Sequence, residues 1–216
     1  DRLGAEQGPE GYSVAVHDDA LWVTCSSGGG LTSGLYRWDR RNWTKYLPPD
    51  VTFMGFGFAS YPLVSWDGDL VVCGASVTSV DNALVNGVLG GTFPVGRLSD
   101  GRFQTLAAGV LGNASGQFYA SAGYSYAGRL FVGGQLLSGG SERTSGIVAW
   151  DGVNWEGNYR VKASGQQTIY GFAPHPTGLL AYGYITLVPG PSNTSLPAII
   201  RAPSGEKSGN PSKPAA

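Results

Sequence analysis

Charged residues, histidines and long apolar runs are all scarce in this sequence. Charged side chains occupy only 13% of the 216 positions, and the formal net charge is −1. A nucleic-acid-binding protein normally carries a basic surface, so this charge balance argues against a nucleic-acid partner. No apolar run reaches the length of a membrane-spanning helix, and no signal peptide is visible. We therefore predict neither a nucleic-acid partner nor a membrane span.

The residues that most often carry catalytic or metal chemistry are also few. His17 and His175 are the only histidines, and no CxxC pair is present, which argues against a zinc site. No GxSxG motif or phosphate-binding loop occurs, and the acidic residues are scattered singly. We therefore predict no metal, no cofactor and no catalytic residue. A carboxylate pair contributed by distant parts of the chain stays open as an alternative.

Glycine, proline and aromatic residues are abundant instead. The chain contains 35 glycines and 13 prolines, and 12% of its residues are aromatic. Many turn-forming residues between short apolar segments are typical of an all-β protein. The composition therefore predicts an all-β fold.

A turn followed by an apolar strand recurs four times. Each copy places a leucine directly after the turn, at positions 21, 70, 130 and 179, with steps of 49, 60 and 49 residues. The strand is apolar at consecutive positions, which indicates burial on both of its faces. Radially stacked four-stranded sheets bury a strand in this way. We predict a β-propeller-like fold of four repeats of about fifty residues, each a four-stranded antiparallel blade.

The repeats divide the chain into a repeat domain, residues 1–203, and a flexible C-terminal tail or linker, residues 204–216. The predicted blades cover about residues 10–51, 58–110, 119–165 and 168–203. The strands predicted in the second repeat are Pro62–Trp66, Leu70–Cys73, Val95–Leu98 and Arg102–Ala107. The fourth repeat has no evident last strand. Residues 1–9 are predicted to supply it; alternatively, the chain is part of a larger ring.

A second recurring motif, which we call the Trp-Asp motif, combines an aromatic-Asp pair with a later tryptophan. In the third repeat it follows a Gly-Gly pair that ends an apolar strand. The residues that carry these features are Trp38, Asp39 and Trp43 in the first repeat and Gly133, Gly134, Trp150, Asp151 and Trp155 in the third. This order resembles a degenerate kelch-type propeller repeat. The resemblance implies a propeller fold and no particular activity, and we interpret the tryptophans as packing across a hairpin or between blades.

The two cysteines fall late in equivalent strands of the first two repeats. Cys25 and Cys73 are therefore either buried free thiols or partners in a disulfide between neighbouring repeats. Because the spacing permits both interpretations, the cellular compartment stays open.

Four ring side chains occupy the position four residues before each marker leucine. They are His17, Trp66, Tyr126 and His175. In a propeller this position lies at the end of the inner strand, next to the central channel. The rings either plug the channel or form a polar-aromatic pocket for a sugar or another planar ligand. They are our candidate ligand-binding residues.

Loops and sequons supply the remaining candidates for recognition. Variable loops on a rigid scaffold commonly carry binding residues. Ser, Gly, Asn and Thr are frequent in the predicted loops, which are residues 26–33, 75–92, 135–145 and 184–196. In a secreted eukaryotic protein the sequons would make glycan acceptors of Asn42, Asn113 and Asn193.

These features favour a non-enzymatic recognition or structural module that binds a protein or glycan partner through its blade loops. An extracellular, cell-surface or virion setting, such as a phage tail or receptor-binding component, is compatible with the low charge. Assembly into a larger complex or homo-oligomer is compatible with the same role. The alternative is a carbohydrate-active enzyme on a propeller scaffold.

Overall fold

A computed structural model of the chain consists of short antiparallel strands. It describes residues 11–25, 34–46, 62–73, 92–93, 95–99, 102–106, 110–112, 120–134, 136–139, 142–144, 146–157, 168–184 and 198–200. These ranges contain nineteen strands, and the prediction of an all-β fold is confirmed. No helix within them is long and apolar enough to cross a membrane.

The strands are numbered in chain order. They are β1 (Gly11–His17), β2 (Ala20–Cys25), β3 (Gly34–Trp38), β4 (Trp43–Tyr46), β5 (Leu63–Trp66), β6 (Asp69–Cys73), β7 (Thr92–Phe93), β8 (Val95–Ser99), β9 (Arg102–Thr105), β10 (Val110–Gly112), β11 (Ala120–Tyr126), β12 (Arg129–Gly134), β13 (Leu136–Gly139), β14 (Glu142–Arg143), β15 (Ile147–Trp150), β16 (Trp155–Glu156), β17 (Thr168–His175), β18 (Gly178–Tyr184) and β19 (Ala198–Ile200).

Each repeat forms its own antiparallel sheet. Sheet 1 has the strand order β1-β2-β3-β4, sheet 2 the order β5-β6-β8-β9, and sheet 3 the order β11-β12-β15-β16. Sheet 4 has three strands within the described residues, in the order β17-β18-β19. The four strands predicted in the second repeat are found with ends that shift by one or two residues. Residues 1–9 and 204–216 lie outside the described ranges.

A fifth sheet joins the second and third repeats. Its order is β14-β13-β10-β7, and β13 pairs with β10. The segment 135–145 was expected to be a loop, and that expectation is wrong because it contains β13 and β14. Leu136 explains the difference, since its side chain is buried in the core between sheets 2 and 3 and anchors the segment there. The other predicted loops lie largely outside the described residues.

Tight turns close the first hairpin of each repeat. Both turn residues of sheet 1, Asp18 and Asp19, have positive φ, as do Asp67 and Gly68 in sheet 2. Positive φ at both central positions defines the type I′ turn, whose twist matches that of the paired strands. The third repeat repeats this geometry at Ala127 and Gly128. The recurring turn followed by an apolar strand therefore belongs to a type I′ hairpin in three of the four copies.

The four repeat sheets stack face to face in chain order. We call the face of each sheet that points toward the start of the stack, as the sheets follow one another in the chain, its front face. The opposite face is its back face. The back face of sheet 1 packs on the front face of sheet 2 through Ala20, Trp22, Leu35, Leu63, Leu70, Val72 and Leu98. The back face of sheet 2 and the front face of sheet 3 contribute Val64, Trp66, Val71, Cys73, Val95, Leu130, Val132, Val148, Trp150 and Trp155. The back face of sheet 3 and the front face of sheet 4 contribute Ala122, Phe131, Ile147, Ala149, Ile169, Leu179 and Ala181.

Glycine permits the closest approach between sheets 3 and 4. A Cβ atom at Gly133 would lie 2.7 Å from Ile169 Cγ2 and 2.8 Å from Phe172 Cζ. Contacts this short do not occur in folded proteins, so any side chain at Gly133 would push the two sheets apart. The first glycine of the Gly-Gly pair is therefore required by sheet packing.

The Trp-Asp motif forms the hairpin between the third and fourth strands of sheets 1 and 3. The Asp39 Oδ1 atom accepts hydrogen bonds from the backbone N–H groups of Arg41 and Asn42, and Asp151 makes the equivalent turn. The two tryptophans that flank each turn are cross-strand partners. Their ring centroids are 5.3 Å apart in sheet 1 and 5.2 Å apart in sheet 3. The tryptophans therefore pack across a hairpin, as the sequence predicted.

We expect Gly133→Ala to destabilise the protein by about 1–3 kcal/mol, because the added methyl group overpacks the contact between sheets 3 and 4. Ser125→Ala is the control: Ser125 is exposed on β11, and surface changes usually stay within about 0.5 kcal/mol. Chemical denaturation measures both variants. Equal stability of the two variants would contradict the packing described here.

We expect Asp39→Ala to lower the melting temperature at pH 7, with a loss that becomes smaller in acid. The backbone N–H groups of Asn42 and Arg41 hold the pKa of the Asp39 carboxyl below its ordinary value of 3.8. A lowered folded-state pKa contributes stability above pH 3.8 that is lost as the pH falls through the folded-state value. Asp39→Asn, which keeps a neutral acceptor, should lose less and show little pH dependence. Thermal melts between pH 2 and pH 7 provide the measurement, and a pH-independent loss in Asp39→Ala would disprove the account.

Candidate ligand cavity

The first strands of the four repeat sheets border one cavity. Its volume is about 690 Å³, which falls in the range of small-ligand sites. The lining residues are Ser13, Val14, Pro62, Leu63, Val64, Ser65, Ser121, Ala122, Gly123, Tyr124, Ser125, Tyr170, Gly171, Phe172 and Tyr182. All but one belong to β1, β5, β11 and β17 or directly precede one of them. Tyr182 comes from β18.

Hydroxyl groups dominate the polar chemistry of the lining. Four serines and three tyrosines carry them, at positions 13, 65, 121, 125, 124, 170 and 182. None of the lining residues carries a charge. Hydroxyls both donate and accept hydrogen bonds, and tyrosine adds an apolar ring face. Tyr170 and Tyr182 are 55% and 47% exposed, so their rings are accessible to a ligand. The cavity suits a neutral ligand with many hydroxyl groups.

β-bulges help to place the lining residues. The pairing register shifts between Ala120 and Ala122 in β11 and between Ile169 and Gly171 in β17. The extra residues are Ser121 and Tyr170, and both line the cavity. A bulge bends its strand and redirects the extra side chain. The two bulges therefore position a hydroxyl and a phenol at the same site.

Local contacts connect β11, β17 and β18 next to the cavity. The Ser121 hydroxyl donates a hydrogen bond to the backbone carbonyl of Ile169. The Tyr182 phenol lies directly over Gly171, where a Cβ atom would overlap it. Because Gly171 has no side chain, the Tyr182 ring packs against the strand beside the cavity.

The candidate residues His17 and Trp66 lie between neighbouring sheets. His17 is buried, and its Nδ1 atom lies 3.1 Å from the Ser65 hydroxyl of sheet 2. The indole N–H of Trp66 donates to the carbonyl of Gly128, in the first hairpin turn of sheet 3, at 3.3 Å. Both rings thus connect the back face of one sheet to the next sheet.

The other two candidates occupy the equivalent strand ends. Tyr126 packs against the core between sheets 3 and 4. The His175 Nδ1 atom lies 3.0 Å from the Thr177 hydroxyl in its own turn. None of the four rings is among the cavity-lining residues. A ligand-binding role for His17, Trp66, Tyr126 and His175 stays a prediction.

Sequence reasoning did not single out Ser121, Tyr170 or Tyr182. For Tyr170 the sequence held one clue, a tyrosine at the equivalent position of the first repeat. The register shift in β1 leaves Tyr12 as the extra residue, so the first and fourth repeats both place a tyrosine at a bulge. Bulges depend on the pairing of two strands, however, and the spacing of residues in one strand does not reveal them.

Metal-binding clusters are missing from the part of the chain that the structure describes. Within it, no three His, Cys, Asp or Glu side chains lie close enough together to hold a metal ion. Asn42 is exposed in the turn between β3 and β4, where a glycan acceptor would be accessible. Asn113 and Asn193 lie outside the described residues.

Cys73 is a free thiol, so the disulfide interpretation of Cys25 and Cys73 is wrong. Cys73 lies in the core between sheets 2 and 3 and is fully buried. Burial disfavours the thiolate and raises the pKa of Cys73 to about 12. The residue acts as a small apolar side chain in this core.

No protein-family model matches the chain, and no curated protein matches it at a significant level. The geometry of the cavity and of the sheets therefore carries the functional argument.

We expect the Cys73 thiol to resist alkylation by iodoacetamide at pH 8 in the native protein, because it is buried and protonated. Unfolding in guanidinium should expose it and permit complete labelling. Peptide mass spectrometry measures the labelled fraction. Rapid labelling of the native protein, or a peptide that links Cys73 to Cys25 by a disulfide, would contradict the structure.

Proposed function

We propose that this chain is a non-enzymatic recognition module of the β-propeller type that binds a neutral, hydroxyl-rich ligand, such as an uncharged glycan, in the cavity between its first strands. The observation that carries the proposal is the lining itself: seven hydroxyl-bearing side chains and no charged one. Neutral sugars are recognised by hydrogen bonds to their hydroxyls and by apolar contact with aromatic rings. Tyr170 and Tyr182 supply both kinds of contact.

The propeller-type arrangement has support from the packing of the sheets. Consecutive sheets stack face to face, and their first strands border a common cavity. A kelch-like blade order, with the first strand innermost, would produce this pattern. The Gly-Gly and Trp-Asp features that resemble kelch repeats have structural roles between and within the sheets, in agreement with that arrangement.

A binding role is favoured over hydrolysis because the described residues that line the cavity include no carboxyl group. Hydrolysis of a glycosidic bond typically requires two carboxyl groups that flank the bond. No Asp or Glu is among the described residues that line the cavity. An extracellular, cell-surface or virion setting, and contacts with a protein partner through the blade loops, belong to the same proposal and rest on the low charge and the loop composition.

A glycan array followed by calorimetry tests the ligand class. We expect neutral glycans to bind, and Tyr170→Ala to weaken binding about two- to tenfold, because one aromatic contact contributes about 0.5–1.5 kcal/mol. Val153→Ala is the control, since Val153 lies at an exposed hairpin turn of sheet 3 and does not line the cavity.

Two results would contradict the proposal. Exclusive binding of charged glycans, or the absence of any glycan ligand, would refute the ligand class. Release of free sugar from a bound glycan would show an enzyme and refute the non-enzymatic role.

A further inference from the structure

Sheet 1 has an apolar face that no sheet covers within the described residues. This front face consists of Val14, Val16, Leu21, Val23, Tyr36, Trp38, Trp43 and, on the edge strand β4, Lys45, which alternate with the back face along each strand. Val14 is 59% exposed and Val16 is 71% exposed, and Leu21, Val23, Trp38 and Trp43 are partly exposed. Tyr36 is buried, and the Lys45 ammonium lies 6.0 Å from the centroid of its ring. Isolated exposed valines are common in proteins, but a continuous apolar sheet face marks an interaction surface.

The same positions are buried in sheet 3. Leu130 pairs with Trp150, and Trp150 pairs with Trp155, in the register that joins Leu21, Trp38 and Trp43 in sheet 1. Val132 corresponds to Val23 in that register. In sheet 3 all four residues are buried against the back face of sheet 2. Apart from Lys45 at its edge, the front face of sheet 1 therefore has the residues of a buried inter-sheet surface, and no sheet among the described residues covers it.

Sheet 4 presents the opposite kind of face. Its back face consists of Ala173, His175, Leu180 and Tyr182, and Tyr182 is 47% exposed. In sheets 1, 2 and 3 the back face is the surface that packs on the next front face. His175 is equivalent to His17, whose ring contacts Ser65 on the front face of sheet 2. The residue of sheet 1 equivalent to Ser65 is Val16.

We propose that two copies of this chain associate head to tail, with the back face of sheet 4 of one copy on the front face of sheet 1 of the other. Each new contact would repeat the back-on-front packing that the chain already uses three times. His175 of one copy would then lie against Val16 of the other.

Symmetry favours a second copy as the partner, and the net charge does not oppose it. The formal net charge of −1 produces almost no repulsion between copies. Each copy carries one face of each kind, so two copies related by a twofold axis form both contacts at once. A contact between two different faces closes into a ring or continues as a filament, depending on the rotation between copies.

Size-exclusion chromatography with light scattering, at several protein concentrations, tests the proposal. We expect a wild-type mass above that of the monomer that rises with concentration. Val16→Glu places a charge on the front face and Leu180→Glu places one on the back face, so each variant alone should be monomeric. Mixed in equal amounts they should form a one-to-one dimer, because each supplies the face that the other lacks. Recovery of this dimer also shows that both variants are folded.

Val153→Glu is the matched control. Val153 is the same residue type as Val16 and is 74% exposed, but it lies in the turn between β15 and β16. We expect this variant to associate like the wild type.

Three outcomes would overturn the proposal. A wild-type monomer at all concentrations, with Val16→Glu less thermostable than Val153→Glu, would show that a sheet of the same chain covers the front face. A wild-type monomer with equal stability of the two variants would show a face that stays exposed in solution. Association that persists in Val16→Glu would place the contact elsewhere on the surface. Val16 and Leu180 are not among the cavity-lining residues, so glycan binding is measured separately and none of these outcomes alters the test of the proposed function.

Discussion

Face-to-face packing of consecutive sheets is the constraint on which the rest of this structure depends. The second strand of a sheet inside the stack, such as β6 or β12, is buried on both sides. It needs apolar residues at consecutive positions because a neighbouring sheet lies on each face. The same packing requires Gly133, since any side chain there would collide with Ile169 and Phe172. It also buries Trp150 and Trp155, whose equivalents in sheet 1 remain partly exposed. Burial in this protein follows the position of a sheet in the stack.

The candidate cavity is a consequence of that stacking. When four sheets align with their first strands on one side, those strands border a common space, and the residues at their bulges line it. The strand-end rings of His17 and Trp66 connect one sheet to the next and leave the lining to serines and tyrosines. The scaffold and the candidate binding site therefore use different residues of the same strands.

Local features of the fold were predictable from the sequence because they depend on residues close together in the chain. The Asp67-Gly68 turn, the strand that ends at Cys73 and the tryptophan pair at 150 and 155 all lie within one hairpin each. The bridging strand β13 was not predictable in this way. It pairs with residues 110–112, more than twenty positions away, and its burial depends on Leu136 reaching a core formed by two other sheets. The cavity was missed for the same reason, because its lining comes from four separate repeats.

The sequence by itself determined the all-β class, the four hairpin copies and the positions of their turns, because glycine, aspartate and alternating or continuous apolar residues act within a few positions of one another. Only the tertiary structure decided which face of each sheet is covered, that Cys73 is a buried free thiol, and that Ser121, Tyr170 and Tyr182 meet at one cavity. Those outcomes depend on contacts between segments that are distant in the chain, and short-range spacing carries no information about such contacts.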